Sequence, residues 1–323
     1  MRGTYAVLVE NRRLQYKFII RRNITIIRGD SATGKTTLIE MIRDYNDNGP
    51  ESGVILQCEK SCVVLSGRYW QRELTAMHDS IVFIDEGSRF VLSEDFAKQI
   101  KTTNNYYVIV TRERLDNIPY SVEEIYGIRN SGKYGTLRQS YHEMYRLYSQ
   151  DEKLPQTLPQ TILTEDFHSG FQFFQNVAFV YHLNCDTADG KSNIFSYLLA
   201  HKEESILVIA DGAAFGPEMS RIDELMKIRN NIYLYLPESF EWLILSSGLI
   251  KANDLYAILN QPADFIESQF YFSWEQYFTA LLMETTQGSI WSYQKKQLNP
   301  IYLNEVNRKK ILSIMAPIFE KAR

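Results

Sequence analysis

The sequence predicts an α/β protein with two domains. Short apolar, β-branched runs alternate with helical segments in two separate blocks of the chain, a pattern typical of sheets covered by helices. Ile81–Ile84 and Tyr107–Val110 are continuously apolar, as expected for parallel strands that are buried on both faces. We therefore expect a first domain with a parallel-rich sheet, a second, smaller α/β domain and a helical C-terminal tail.

The first block begins with two β-rich runs and continues as alternating strands and helices. Tyr5–Val9 and Gln15–Ile20 predict an antiparallel hairpin across a polar turn. Asn23–Ile27 predicts a third strand, and Thr36–Tyr45 predicts a helix with one apolar face. Further short strands are expected at Val54–Leu56, Cys62–Leu65, Ile81–Ile84 and Tyr107–Val110.

A proline-containing polar segment separates the two blocks. Residues 149–168 are predicted to be a linker between a first domain at 1–148 and a second at 169–252, with a helical tail at 253–323. The second domain is expected to contain strands at Val177–Leu183, Ile206–Ala210 and Ile232–Leu236, and helices at 192–202 and 217–229. This alternation again favours an α/β domain.

Composition limits the classes of protein to which the chain can belong. The chain has 323 residues, is 45% hydrophobic and has three cysteines, which excludes a disulfide scaffold and favours the cytoplasm. No segment reaches the roughly 18–20 apolar residues of a membrane span, so no membrane association is expected. The net charge of −4 is the sum of three unequal segment charges, which are +3 for residues 1–150, −12 for 151–292 and +5 for 293–323. The acidic block is a poor non-specific nucleic-acid surface but could hold metal ions.

The chemical motif with the highest specificity lies directly after the third predicted strand. The segment from Gly29 to Thr36 matches G-x-x-x-x-G-K-[ST] between a strand and a helix. The glycines allow backbone N–H groups to surround a phosphate, Lys35 would reach the β- and γ-phosphates, and the Thr36 hydroxyl would bind Mg²⁺. The predicted nucleotide-binding residues are Gly29, Asp30, Ser31, Ala32, Thr33, Gly34, Lys35, Thr36 and Thr37.

Two carboxylates follow the apolar run at Ile81–Ile84. Asp85 is placed to support the Mg²⁺ ion together with Thr36. Glu86 is placed to polarise the attacking water as a general base. The pair favours a protein that hydrolyses ATP over one that acts only as a nucleotide-dependent switch.

Together these motifs resemble the P-loop ATPases of the AAA/ABC-like division, over about residues 1–135. The resemblance implies an ATPase that binds ATP and Mg²⁺, with Lys35 and Glu86 in catalysis and Thr111 as a γ-phosphate sensor at the end of an additional strand. Leu65-Ser66-Gly67 is similar to the ABC signature, which would place it against the nucleotide of another subunit. Arg68 departs from that signature, and only 30 residues separate Lys35 from Leu65.

Carboxylates also follow the predicted strands of the second block, where parallel strands would bring them to one edge. A second metal site is predicted from Asp186, Asp189, Asp211, Glu238 and Glu241. The order resembles a TOPRIM domain, and OLD-family nucleases join an ABC-like ATPase to such a domain. The glutamate expected after the first strand is missing, since His182 and Asn184 stand there, and Gly212-Ala213 replaces the rest of an Asp-x-Asp motif.

Several functions stay open at this level. The main expectation is an ATPase that senses for or gates a C-terminal nucleic-acid-acting or effector module, as in phage-defence proteins. The alternative is an ATP-driven scaffold with an inert C-terminal domain, working as a homo-oligomer or with a partner effector; a small-molecule kinase is a third possibility. Cys185 to Ser192 repeats the P-loop pattern without its first glycine, and Cys58-x-x-x-Cys62 lacks the second ligand pair of a zinc site.

Overall fold

The computed structural model describes residues 1–29, 33–131, 140–148, 155 and 157–319. The chain divides into two compact units. The first consists of Met1–Tyr148 and Gln261–Phe272, and the second of Ser149–Asn260 and Ser273–Arg323. Each unit contains its own sheet.

The first unit is built on a nine-stranded mixed sheet with the order β4-β1-β2-β9-β8-β3-β7-β6-β5. Its strands are β1 (Tyr5–Glu10), β2 (Leu14–Ile20), β3 (Ile24–Ile27), β4 (Ile55–Gln57), β5 (Ser61–Val64), β6 (Ser80–Ile84), β7 (Tyr106–Val110), β8 (Ile125–Asn130) and β9 (Ser140–Arg146). From β8 to β5 in this order, each strand is parallel to the next, whereas β8 and β9 are antiparallel. The β1–β2 hairpin is antiparallel, as predicted, with Tyr5 opposite Ile20.

Helices of the first unit cover this sheet and are short except for the first. They are α1 (Lys35–Asn48), α2 (Trp70–Ala76) and α3 (Glu94–Ile100). Every residue of β3, β6 and β7 is buried, which confirms the parallel, doubly covered strands expected from their apolar runs. Leu38, Ile39 and Ile42 of α1 are fully buried in the same core, at the spacing that places side chains on one helix face.

The second unit contains a four-stranded parallel sheet with the order β11-β10-β12-β13. Its strands are β10 (Thr161–Thr164), β11 (Asn184–Thr187), β12 (Ile206–Ile209) and β13 (Ile232–Tyr235). Its helices are α4 (Ser169–Tyr181), α5 (Lys191–Ala200), α6 (Gly216–Ile228), α7 (Phe240–Ser246), α8 (Leu255–Asn260), α9 (Trp274–Thr286) and α10 (Glu305–Leu312). The strands and helices predicted between residues 192 and 236 are therefore confirmed.

The start of the second sheet differs from the sequence prediction. Val177–Leu183, expected to be a strand, lies mostly within helix α4. Its buried apolar residues are Phe173, Phe174, Val177 and Ala178, and their spacing is that of a helix face. The first strand is instead β10, inside the predicted linker at 149–168. Its apolar run is only Ile162 and Leu163 between two threonines, too short to stand out from a polar, proline-containing segment.

The C-terminal region is largely helical, as expected, but one segment groups with the first unit. Within Gln261–Phe272, the backbone of Ala263 accepts a hydrogen bond of 2.7 Å from Gly3 N, and Glu267 pairs with the terminal ammonium of Met1. The predicted tail at 253–323 is therefore not one continuous element. In the described part of the chain, no helix has the length and apolarity needed to cross a membrane.

Gly212 provides a stability test of the second sheet. A Cβ atom at this position would lie 2.4 Å from the carbonyl oxygen of Leu236, which is backbone and cannot move aside alone. We expect Gly212→Ala to lower the free energy of unfolding by about 2–4 kcal/mol through overpacking. Urea denaturation followed by tryptophan fluorescence measures this effect, because three of the four tryptophans lie in the second unit.

Gly170→Ala is the matched control for that substitution. A Cβ there would be 3.5 Å from the Phe240 Cβ, an ordinary van der Waals contact, and Gly170 lies in α4. Its substitution should change stability by no more than about 1 kcal/mol. Equal effects of the two substitutions would contradict the close approach at Gly212.

Candidate functional site

The predicted phosphate-binding loop joins the buried strand β3 to helix α1. Gly29 has φ 127° and Gly34 has φ 91°, a backbone conformation that favours glycine. A Cβ on Gly34 would also lie 2.7 Å from the Tyr16 hydroxyl, which donates a 2.9 Å hydrogen bond to the Gly34 carbonyl. Asp30, Ser31 and Ala32 lie outside the described residues. The glycines at both ends of the motif are therefore at positions that need glycine.

Lys35 is the first residue of α1, and its side chain turns back across the loop. Its Nζ donates to the Gly29 carbonyl at 2.8 Å and to the Thr33 hydroxyl at 3.0 Å. Although the residue is 5% exposed, its charge is solvated by these oxygens, which avoids the cost of a buried, unpaired ammonium. Thr36 and Thr37 follow in the first turn, and Thr36 is exposed. The loop thus presents one cation and one accessible hydroxyl at a helix N-terminus, where anions are favoured.

Asp85 and Glu86 lie directly after β6 and have different environments. Burial raises the pKa of Asp85, opposed by the backbone N–H of Glu86 and by Arg43. The Asp85 Oδ1 accepts the Glu86 N–H at 2.8 Å. Glu86 is more exposed and forms an ion pair with Arg112, with 2.7 Å between its Oε1 and the Arg112 Nε. Asp85 is therefore a partly desolvated carboxylate that a cation would stabilise, and Glu86 is a solvent-accessible one.

Thr111 follows β7, and its main chain is tied to the loop strand. Its N–H donates to the Ile27 carbonyl at 3.1 Å, and its hydroxyl accepts from Glu113 N at 2.9 Å. The side chain is 5% exposed. Thr111 is thus held next to the end of β3, where the predicted phosphate-binding loop begins.

The sheet order brings these three segments to the same edge. β7 lies between β3 and β6, and all three are parallel, so their carboxyl ends are neighbours. Asp85, Glu86, Thr111 and Arg112 line one cleft of about 560 Å³. For a divalent cation, an exposed threonine hydroxyl and a desolvated carboxylate are suitable oxygen donors, so Thr36 and Asp85 fit Mg²⁺ chemically.

The segment that is similar to an ABC signature follows the edge strand β5. Leu65 is buried and donates its N–H to the Phe83 carbonyl at 2.9 Å. Gly67 has φ 90°, and Arg68 is exposed just before α2. Between α1 and this segment the structure contains a short 3-10 turn, β4 and β5. The segment therefore extends from the sheet and not from a separate helical subdomain.

In the second unit, carboxylates gather at the ends of β10 and β12. Glu165 follows β10, Asp211 lies two residues beyond β12, and both line a pocket with Asp166, Glu241 and Lys295. The Asp211 N–H donates to Glu165 Oε2 at 3.4 Å. Since β10 and β12 are adjacent and parallel, their carboxyl ends place these two acids together.

Burial governs the electrostatics of this acidic pocket. Burial raises the pKa of Glu165 to about 7, with Lys191 opposing the shift. Burial also raises the pKa of Asp211 well above its usual range, and Glu275, Glu165 and Glu241 raise it further. Both carboxyl groups therefore hold protons more tightly than an exposed acid does.

Lys295 supplies the positive charge of the pocket. Although burial would lower its pKa, the neighbouring Glu275, Glu241 and Asp211 outweigh that effect and raise it. Its Nζ forms an ion pair with Glu275. Glu241 also accepts a 2.7 Å hydrogen bond from the Tyr293 hydroxyl. The lysine thus compensates part of the negative charge that the fold collects there.

The structure divides the five acids predicted as a second metal site. Asp211 and Glu241 line the acidic pocket, but Asp186 lies on the edge strand β11, which β10 separates from β12. Asp186 Oδ2 accepts a 3.0 Å hydrogen bond from Tyr197. Among the described residues, no group of three or more His, Cys, Asp or Glu side chains is arranged to hold a metal ion. The five acids, which also include Asp189 and Glu238, are therefore not assembled as predicted.

Glu165 is the pocket residue that sequence reasoning missed. The sequence predicts this glutamate after Val177–Leu183, which is mostly helical, whereas Glu165 directly follows the first strand, β10. The signal that could have located it is the Thr-Ile-Leu-Thr run before two acids.

The second P-loop-like pattern has Cys185 inside β11, and its Lys191 donates to the Ala214 carbonyl at 2.7 Å.

Comparison with known proteins adds no family to this geometry: no protein-family model matches the chain, and no curated protein matches it significantly. The residues themselves therefore carry the functional assignment.

The charge balance of the acidic pocket predicts a pH-dependent stability. The unfolded chain ionises its acids near pH 4, whereas burial keeps Glu165 and Asp211 protonated to higher pH in the folded chain. Stability should therefore fall as the pH rises from 5 to 8. Lys295→Met should steepen that fall, because it removes the compensating cation, with a loss of about 3 kcal/mol at pH 8 and less at pH 5. Urea denaturation at both pH values measures it.

Lys296→Met serves as the control, because this neighbouring lysine is exposed. It should leave both the stability and its pH dependence unchanged within about 0.5 kcal/mol. A Lys295→Met protein whose loss of stability is the same at pH 5 and pH 8 would show that the acids do not depend on this lysine.

Proposed function

We propose that the chain is an ATP-binding and ATP-hydrolysing P-loop ATPase whose second unit is an effector or interaction module. The observation that carries the proposal is the position of the Lys35 ammonium, 2.8 Å from the Gly29 carbonyl across a loop that joins a buried strand to a helix. A lysine at a helix N-terminus, directly after a loop with a left-handed glycine at each end, suits the binding of a polyphosphate. The order β3-β7-β6 supports the same proposal, since it is the order expected when an additional strand separates the two motifs.

Each residue of the first site has a role in this proposal. The backbone from Gly29 to Thr37 and the Lys35 ammonium bind the phosphates. Thr36 and Asp85 would hold Mg²⁺, which supplies charge neutralisation of the phosphates when bound. Glu86 orients the attacking water and accepts its proton, and Thr111 contacts the γ-phosphate from the neighbouring strand.

Arg112 has a defined part in this arrangement because it pairs with Glu86. An arginine paired with a general base limits the rotation of its carboxylate. When substrate binds, the Glu86 carboxylate must therefore either release Arg112 to contact the attacking water, or contact Arg112 and the water at the same time.

Substitution of Glu86 separates binding from hydrolysis. Glu86→Gln keeps the side-chain shape but cannot accept a proton, so phosphate release should fall by about 10²-fold or more while ATP binding is retained. Phosphate release and titration with a fluorescent ATP analogue measure the two quantities. Unchanged turnover would remove Glu86 from the proposed role.

Two further variants complete that experiment, one as a control for turnover and one that should weaken ATP binding. Glu94→Gln is the matched control, since this exposed glutamate of α3 pairs with Lys98 on the surface of the helix, and the turnover of the variant should equal that of the unmodified protein. Lys35→Ala should weaken ATP binding itself, because it removes the cation that faces the phosphates.

A second function, an action on nucleic acid, is favoured by the topology of the second unit. The second unit has a parallel sheet in the order β11-β10-β12-β13. Glu165 follows β10 and Asp211 follows β12, the first and third of these strands along the chain. This arrangement agrees with the resemblance to a TOPRIM domain. Glu165 also meets the expectation of a glutamate after the first strand. Ala213 still stands where the second aspartate of Asp-x-Asp is expected. The proposed ATPase would then gate this module, as in OLD-like phage-defence proteins.

Incubation with plasmid DNA and Mg²⁺ or Mn²⁺ tests the second function. Nicking or cleavage by the intact chain, lost in Asp211→Asn, is the expected result, because the amide keeps the size of the side chain but cannot carry its charge. Asp223→Asn is the control, since this residue pairs with Lys227 on α6. Absence of cleavage with ATP, with ADP and without nucleotide would favour the scaffold, whose effector activity resides in a partner.

A further inference from the structure

A cavity opens in the first sheet beyond the point where β2 and β9 stop pairing. The ladder between these two parallel strands ends at the pair Lys17 and Glu143, although β2 continues to Ile20 and β9 to Arg146. Residues beyond the end of the ladder on both strands, among them Ile19 and Arg146, line a cavity of about 500 Å³. This cavity, which we call the β2–β9 cleft, therefore lies in the gap between the two strands.

The floor of the β2–β9 cleft is apolar. Phe18 and Met144 line it; Phe18 belongs to the hydrophobic core that also contains residues of α1, and Met144 packs against that core. Ile19 lines the cleft as well and is 56% exposed, although as the neighbour of Phe18 it faces the opposite side of the sheet. Because side chains of both faces meet in the cleft, an apolar group that entered it would be buried between the strands.

Three cations line the same cleft, and no carboxylate is among its described lining residues. They are Lys17, Arg21 and Arg146. Lys17 is exposed, and its side chain forms no ion pair with the described part of the chain. Its ladder neighbour Glu143 lies instead 2.9 Å from Arg129 Nε. The positive charge of Lys17 is therefore available to a ligand.

Two glutamates beside the cleft compensate only part of the remaining positive charge. Glu123 Oε2 lies 3.2 Å from Arg146 Nη2 and 3.6 Å from Arg21 Nη2, and Glu124 accepts a 2.8 Å hydrogen bond from Arg21 Nε. Arg22 shares the same two carboxylates, and Arg21 Nη2 has no hydrogen-bond partner. Together with the lysine of the cleft, four cations thus face two carboxylates in this described region, which leaves an excess of positive charge.

We propose that the β2–β9 cleft binds a small amphipathic anion, which carries a carboxylate or a phosphate on a short apolar group. The apolar group lies between the strands on the apolar floor, and the anionic group accepts hydrogen bonds from the three cations. A cleft that combines an apolar lining with a few convergent polar groups is typical of small-molecule sites. Arginine donors match carboxylates and phosphates alike, so the head group is left to the experiment. None of the lining residues is assigned to the candidate nucleotide site, so the proposal does not rest on the proposed ATPase.

Calorimetric titration of the full chain with two probes, hexanoate and hexyl phosphate, tests the proposal. We expect saturable binding of at least one probe with one molecule per chain, and the tighter probe identifies the head group. Acetate lacks the apolar group and 1-hexanol lacks the charge, so each should bind at least about tenfold more weakly than the tighter probe.

Two substitutions of exposed residues separate the contributions of charge and apolar surface. Lys17→Met should weaken binding about tenfold, because it removes a charge-assisted hydrogen bond. Ile19→Thr should weaken it about fivefold, because it removes apolar area and keeps a β-branched side chain. Arg129→Met and Ile55→Thr are the matched controls, since these residues are exposed on β8 and β4 and do not line the cleft.

Several outcomes would overturn the proposal. They are the absence of saturable binding by both probes, equal binding of acetate or 1-hexanol, and affinities that Lys17→Met and Ile19→Thr leave unchanged. Loss of probe binding in Lys35→Ala would place the anion in the predicted phosphate-binding loop and would also overturn it. Circular dichroism of each variant verifies that a loss of binding does not come from a loss of the fold.

Discussion

The main-chain hydrogen bonds between the parallel strands β3, β7 and β6 are the constraint on which the candidate nucleotide site depends. Every residue of these strands is buried, so the ladder is protected from water and the register of the three strands is strongly specified. Parallel pairing then determines that the loop after β3, Thr111 and the Asp85-Glu86 pair meet at one edge. The functional side chains are consequently on short segments whose starting points are rigid.

The same constraint acts in the second unit and produces a different electrostatic result. Adjacent parallel strands β10 and β12 bring Glu165 and Asp211 together, and the surrounding residues bury both. Bringing carboxylates together in a low-dielectric place is unfavourable unless protons or cations compensate them. Here both forms of compensation occur, since the acids have raised pKa values and Lys295 contributes an ammonium.

Sequence information sufficed where one physical signal dominated a segment. The apolar runs that became β6 and β7 could be recognised because a doubly buried strand has no polar alternation. The loop between β3 and α1 could be located because its glycines and lysine have a defined spacing, although phosphate binding there stays a prediction. In contrast, β10 could not be recognised, since its burial comes from two central side chains and from threonines that read as polar. The prediction of a strand at Val177–Leu183 was wrong for the opposite reason, because the end of a strongly apolar helix has the composition of a strand. Glu165 was missed as a direct consequence of both errors, and the separation of Asp186 from Asp211 depended on a strand order that local patterns do not contain.

The two sites differ in how their central carboxylates are compensated, and this difference bears on where a cation can act. Asp85 forms no ion pair with the described residues, and burial raises its pKa with only Arg43 and a backbone N–H opposing. A divalent cation at Asp85 would therefore gain a carboxylate whose ionised form lacks a close positive partner. In the acidic pocket Lys295 already provides such a partner for Glu275, Glu241 and Asp211, so an added cation would have to displace it or coexist with it at a cost in repulsion. A metal requirement is accordingly easier to reconcile with Asp85 than with Asp211, whichever activity the second unit performs.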